Sequence, residues 1–296
     1  VNILHYFYFL RHNLEAHFLG RRRPLLTGFK LTDRCNLRCR TCPFWKRDSQ
    51  EMTMSQINDV LVHLHQSGVR LLILEGGEPF LWQDGDYRLE DVVTAGKKLF
   101  FCTGIVTNGL TPIDTQADIV WVSVDGMKES HNYNRGPTFD KVIANIEASS
   151  HPKLFASVTI NARNWQDIPE LIRFLSDKVK GITIQFYYPY EGTEDLYLPF
   201  AERRQVLDRL IELKRQGYPV SDSNPALKAL RANTWRCFPW LISSVEPDGQ
   251  ITFGCYLKNR AVANCEKCGF AAHTEISMAY GWNPSAIYAG AKIFGF

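Results

Sequence analysis

The chain has 296 residues, 45% of them hydrophobic and 22% charged, which suits one large domain with an appendage and is too apolar for a disordered chain. Its 34 basic and 31 acidic residues leave a net charge of only +3, so no strong field marks a nucleic-acid partner. No apolar run reaches the roughly 18 to 20 residues needed to cross a bilayer, and the first residues do not read as a signal peptide. Seven of the eight cysteines group at 35/39/42 and 237/255/265/268, which fits metal ligation better than a disulfide framework. A reducing, cytoplasmic setting is therefore expected.

Residues 1–24 place Ile3, Phe7, Leu10, Leu14 and Phe18 at helical spacing ahead of Arg21-Arg22-Arg23. The expectation is an N-terminal amphipathic helix packed on the side or bottom of the main domain. Its aromatic and basic residues also suit peripheral membrane contact, or the covering of a hydrophobic substrate. From Thr27 short apolar strands alternate with longer amphipathic helices, as parallel β/α units do. Strands are predicted at 28–32, 70–74, 101–106, 119–124, 154–160 and 182–187, and helices at 54–66, 89–99, 139–149 and 168–179. Thr53 or Ser55 can cap the first helix, and Asp167 starts the last. Six strands are fewer than a closed barrel needs. The fold class is thus α/β, a partial (β/α)6 TIM-like barrel over residues 25–222, with its chemistry at the carboxyl ends of the strands. Helices follow at 200–216 and 225–232, and a strand-turn-strand pattern at 244–253 surrounds Pro247-Asp248-Gly249. Residues 223–296 form a small C-terminal extension whose aromatic tail, from Ala271, has the composition to fold over the barrel mouth.

Immediately after the first strand, Cys35, Cys39 and Cys42 are spaced C-x3-C-x2-C. Zinc normally takes four protein ligands, or three with a water, from cysteines arranged as C-x2-C pairs. A cubane iron-sulfur cluster has four irons, so three thiolates leave one iron open to a substrate or cofactor. A zinc knot and a thiol redox site are the alternatives. At these residues the sequence resembles the radical SAM superfamily. The resemblance implies a [4Fe-4S] cluster whose free iron chelates S-adenosylmethionine, and whose electron cleaves that cofactor to a 5'-deoxyadenosyl radical. Thr41 stands where many members carry an aromatic residue, and Phe44 and Trp45 follow instead.

Glu75-Gly76-Gly77-Glu78-Pro79 follows the second strand. Its glycines permit close approach of a ligand, and Glu78 supplies a carboxylate for an ammonium group. The stretch matches the family's GGEP motif, which implies that Gly76, Gly77, Glu78 and Pro79 hold the methionyl amine. Thr107-Asn108-Gly109 and Ser123-Val124-Asp125-Gly126 end the next two strands and read either as turn caps or, by resemblance, as ribose contacts through Ser123 with Asn108 or Asp125. Arg135, in Asn134-Arg135-Gly136, is a fork for the methionyl carboxylate or a surface arginine. Cys102, within an apolar strand, reads as an inert buried thiol.

Cys237, Cys255, Cys265 and Cys268 are spaced C-x17-C-x9-C-x2-C. By count they suit structural zinc or a fully ligated cluster. After a radical SAM core they resemble a twitch or shortened SPASM extension, which implies a second [4Fe-4S] cluster acting in electron transfer or support. The resemblance further implies a radical SAM oxidoreductase that abstracts hydrogen from an unactivated C-H bond and is reduced by a donor such as flavodoxin or ferredoxin. Aromatic content leans toward a large hydrophobic small-molecule substrate, a tetrapyrrole or an isoprenoid lipid. Peptide modification, adenosyl transfer without net oxidation, and a non-catalytic electron-transfer or zinc scaffold are the competing expectations. No nucleic-acid partner is expected.

Overall fold

The computed structural model describes residues 3–295. In chain order its strands are β1 (Leu26–Lys30), β2 (Leu71–Glu75), the small ribbon β3 (Gln83–Asp84) and β4 (Tyr87–Arg88), β5 (Cys102–Thr107), β6 (Ile119–Ser123), β7 (Leu154–Ile160), β8 (Gly181–Phe186), β9 (Ile242–Val245) and β10 (Ile251–Phe253). Its α-helices are α1 (Ile3–Phe18), α2 (Met54–Ser67), α3 (Leu89–Leu99), α4 (Lys128–Arg135), α5 (Phe139–Ala148), α6 (Ile168–Leu175), α7 (Phe200–Arg215), α8 (Asn224–Leu230), α9 (Ala271–Tyr280) and α10 (Pro284–Phe294).

The main sheet has eight strands in the order β10-β9-β1-β2-β5-β6-β7-β8, mostly parallel. The six expected strands are all present, and two more lengthen the sheet. β9 pairs in parallel with β1, Leu26 opposite Ile242, and β10 returns antiparallel to β9. The cysteine-bearing extension therefore continues the barrel wall. Alternation along each strand sorts its side chains. Phe29, Leu72, Leu74, Val120, Val122, Ala156 and Val158 face the helices in the main core. The opposite faces turn into the barrel. There Leu71, Ile73, Trp121 and Phe155 form an apolar floor, with Phe9 of α1 and Phe294 of α10 against it. Above that floor the lining becomes polar.

Local chemistry explains the element ends. Thr53 accepts from the Gln56 backbone and completes a capping box at α2, which closes at Gly68 with φ of 108°. Asp167 precedes α6, yet its carboxylate accepts from the Met127 amide and so fixes the turn after β6. α4 was not anticipated, because KESHNYNR carries almost no apolar stripe and buries His131 and Asn134. The tail also differs from expectation. α10 sets Phe294 against Trp121 and receives a hydrogen bond from Lys153, just before β7, at Ile293. The tail closes the floor of the barrel, at the end opposite the mouth. α1 packs at the same end through stacking of His5 on Phe101, while Ile3, Phe7, Leu10 and Phe18 remain exposed.

Candidate active site

The loop after β1 carries Cys35, Cys39 and Cys42 across the carboxyl ends of the strands. Two backbone bonds tie it to the turn after β2: Gly77 N donates to Thr32 O at 2.7 Å and Glu78 N to Arg34 O at 2.9 Å. This contact explains the paired glycines. A Cβ on Gly77 would lie 2.2 Å from Arg34 O, and one on Gly76, where φ is 156°, 2.6 Å from Thr32 O. The glycines let two chain segments touch, which leaves the turn's remaining carbonyls at the edge of the cysteine loop.

Glu78 is fully buried, and its carboxylate is engaged within the protein. It accepts from Thr107 Oγ1 at 2.8 Å, from the Asn108 amide at 2.8 Å and from the Phe80 amide at 3.4 Å. Burial pushes its carboxyl up, and these hydrogen bonds oppose that shift. Asp33 is the carboxylate left over. Asp33 is 3% exposed, its backbone carbonyl lies against Gly77, and neither of its carboxylate oxygens has a hydrogen-bond partner among the described residues. It lines the same cleft as Cys35, Arg38 and Trp45. Sequence reasoning missed it, although its place two residues before Cys35 was a signal.

A second clamp reaches the loop from α4. Asn134 accepts from the Arg40 amide with its backbone carbonyl and from the Thr41 amide with its side-chain oxygen, at 2.9 and 3.1 Å. Its side-chain nitrogen donates to Asp125, which also accepts from Arg135 Nε at 2.7 Å and from the Thr159 amide at 3.0 Å. Asp125 is thus fully occupied as the anchor of Arg135. The guanidinium of Arg135 comes within 3.9 Å of Cys39 Sγ. Burial works against its charge, but Asp125 and the Cys39 thiol hold its pKa above the ordinary value. Asn108 is likewise engaged: its amide nitrogen meets Asn36 at 2.7 Å and lies 4.0 Å from Cys35 Sγ, and its oxygen accepts from Leu110. Ser123 is half-buried on the barrel interior.

The three thiols fit a cationic centre. Burial raises the pKa of Cys35, and raises that of Cys39 to about 11, with the neighbouring cysteines adding to both. Cys39 and Cys42 also line a cleft with Trp45, Tyr133 and Tyr190. Such thiols ionise when a metal takes the place of the proton. The C-terminal cysteines also lie near one another: the residue Cys237 is largely exposed, but local desolvation of its thiol, with Cys268, Cys255 and Cys265 nearby, pushes it up to about 12. Asn233 binds the Cys265, Glu266 and Cys268 carbonyls, and buried Arg203 donates to Cys268 O at 2.8 Å. Among the described residues no three His, Cys, Asp or Glu side chains close on a single point as ligands of one ion would. Cys102 lies apart from both groups, wholly buried, its thiol pushed up to about 12 by burial.

Phe44, two residues past Cys42, turns into the barrel. Its ring lies 6.5 Å from that of Tyr256, which adjoins Cys255, and Tyr256 is 5.7 Å from Phe270, two residues past Cys268. One aromatic row therefore spans the two cysteine groups.

Comparison with known proteins agrees with this arrangement. The Radical SAM superfamily profile matches residues 29–175. A pre-heme d1 synthase of Dinoroseobacter shibae is 28% identical over 174 residues, which cover 54% of this chain and 42% of that protein. A probable GTP 3',8-cyclase of Methanothermobacter marburgensis is 27% identical over 271 residues, 81% of this chain and 87% of the relative. An uncharacterized protein of Archaeoglobus fulgidus is 27% identical, and the chain spans only 48% of its length. The fold superposes on Streptococcus suis SuiB bound to S-adenosylmethionine with a TM-score of 0.68, at 14% identity, over 94% of this chain and 70% of SuiB. With its cysteine loop clamped at the carboxyl ends of a mostly parallel sheet, this chain carries a radical SAM superfamily domain at residues 29–175.

Proposed function

We propose that Cys35, Cys39 and Cys42 hold a [4Fe-4S] cluster against which S-adenosylmethionine binds. Bound there, the cluster supplies the electron that cleaves the sulfonium and releases a 5'-deoxyadenosyl radical. The observation that carries this reading is the pair of clamps on the loop, from Gly77 and Glu78 on one side and Asn134 and Arg135 on the other. They pin the loop that carries the three thiols and put the groups for a zwitterion beside it. With Glu78 engaged by Thr107 and Asn108, Asp33 and the carbonyls of Gly76 and Gly77 receive the methionyl ammonium, and Pro79 fixes their turn. Arg135 keeps guanidinium N–H groups beyond those used on Asp125, and these face the methionyl carboxylate. Ser123 meets the ribose, and Asn108 and Asp125 support that contact from behind.

Cys237, Cys255, Cys265 and Cys268 would hold a second, fully ligated cluster, which would supply an electron acceptor for a net oxidation at carbon. A reduced flavodoxin or ferredoxin is the fitting donor. A hydrophobic substrate loses its main support, because the aromatic tail and Phe9 serve the barrel floor. A second reading, ring closure without net oxidation, is favoured by the alignment with the probable GTP 3',8-cyclase, which spans 81% of this chain. Anaerobic incubation of reconstituted protein with dithionite and S-adenosylmethionine tests the core proposal. 5'-Deoxyadenosine is expected from the wild type and not from Cys35→Ala; equal yields from both would refute it.

A further inference from the structure

Between the two cysteine groups the barrel interior holds a cluster of ions that neither group uses. Lys30 ends β1 facing inward and is 1% exposed. Its ammonium has no hydrogen-bond partner among the described residues. The nearest carboxylate, Glu246, is 3.7 Å away, and the ring of Phe44 lies 3.7 Å below it. Glu246 is already shared: Arg260 Nε donates to it at 2.6 Å and Arg47 approaches at 3.3 Å. Glu75, opposite Lys30 in the register, folds inward over Gly28, where a Cβ would lie 2.9 Å from its Oε1. That oxygen is buried and also lacks a hydrogen-bond partner among the described residues. The inward faces of β6, β7 and β8 also carry polar, half-buried side chains: Ser123, Ser157, Thr159 and Gln185.

An apolar core would not retain three cations and two carboxylates here, because an uncompensated buried charge is costly and such groups otherwise pair fully. Here the pairing is incomplete in a specific way. One carboxylate serves three cations, one ammonium is left without a hydrogen bond, and one carboxylate oxygen is left without a donor. Burial, reinforced by Arg260, depresses Lys30 to about 8, so its ammonium is charged at neutral pH and in need of an anion.

We infer that Lys30 and Arg260 receive an oxyanion of the substrate, a carboxylate or phosphate, and that Glu75 accepts from a hydroxyl or ammonium on the same molecule. This rests on the reading of the barrel mouth as the radical site, and it replaces a hydrophobic substrate with a polar, anionic one. The ion cluster lies beside the contact between Phe44, from the loop of Cys42, and Tyr256, next to Cys255, so an oxyanion bound there sits close to both cysteine groups.

The test is calorimetric titration of the anaerobically reconstituted protein at pH 7 with inorganic phosphate and, separately, with succinate. A parallel titration with S-adenosylmethionine is run on each sample. Lys30→Met and Arg260→Met are compared with the wild type and with the exposed control Arg22→Gln, after circular dichroism melts establish folding. Saturable binding of one probe that weakens at least tenfold in both variants, with the control unchanged, is the expected result, and the probe that binds names the substrate group. Absence of binding in a wild type that still binds S-adenosylmethionine overturns the inference, as does equal binding in both variants. Probe binding through Lys30 in a protein that does not bind S-adenosylmethionine would sink the radical reading and leave the anion site standing.

Discussion

The two cysteine groups differ in how the chain builds them. Cys35, Cys39 and Cys42 lie within one loop, and that loop is pinned from two sides by backbone and side-chain hydrogen bonds reaching Asn108 and Asn134. Cys237, Cys255, Cys265 and Cys268 come from three segments at the edge of the sheet; Cys237 and Cys265 are exposed, and the Cys265–Cys268 turn hangs on Asn233 and Arg203. A site with an open position needs its ligands fixed by the protein before the cofactor arrives. A closed site with four ligands is ordered by the metal it holds. The proposed division, radical chemistry at the triplet and electron transfer at the quartet, rests on this difference.

The largest break of this comparison is at the ligands themselves. Cys35→Ala is expected to bring 5'-deoxyadenosine below detection, whereas Cys255→Ala leaves it near the wild-type yield and stops substrate turnover; chromatography of quenched reactions reads both. Next come the clamps. Asp125→Asn removes the charge that anchors Arg135, and Asn134→Ala frees the Thr41 amide. Each is expected to lower 5'-deoxyadenosine formation by about 10- to 100-fold, the usual cost of losing a group that orients a metal ligand. Neither should change the iron held by the quartet.

Lys30, between the groups, gives a pH-dependent effect. Its folded pKa of about 8 lies below the ordinary 10.5, chiefly through burial, with Arg260 and Arg47 lowering it further and Glu75 and Glu246 raising it. Between those values the unfolded chain binds the additional proton, so stability rises with pH across that window, and the cost of the buried charge is complete below the folded pKa. Lys30→Met should therefore stabilise the protein at pH 7 by up to about 3 kcal/mol, with the gain fading as pH climbs to about 10.5. Denaturant melts at pH 7 and pH 10 check this. The smallest effect is expected at Asn233→Ala. It loosens the Cys265–Cys268 turn by roughly 1 kcal/mol and speeds iron loss from the quartet, while S-adenosylmethionine cleavage is unchanged.

Local patterns made most of the barrel legible. β7 and α3 match their predicted spans, because alternation and amphipathic spacing are carried within each segment. The cysteine triplet was equally plain from spacing alone. What escaped depends on distant partners. Glu78 reads as a free carboxylate until Thr107 and Asn108, about thirty residues on, are seen to bind it. β9 is too short to announce that it joins β1, over 200 residues earlier in the chain. α4 is held by Asn134 and His131 in place of an apolar face. The ion cluster was hidden for the same reason: Lys30, Glu75, Glu246 and Arg260 look like unrelated surface charges until the sheet brings them together.

The most direct test of the account is anaerobic iron, sulfide and zinc analysis of reconstituted protein, paired with EPR of the reduced form with and without S-adenosylmethionine. About eight irons per chain, with a signal that shifts when S-adenosylmethionine is added, is the predicted result: two cubanes, one with an open iron. Zinc alone, with no iron retained and no response to S-adenosylmethionine, would contradict it.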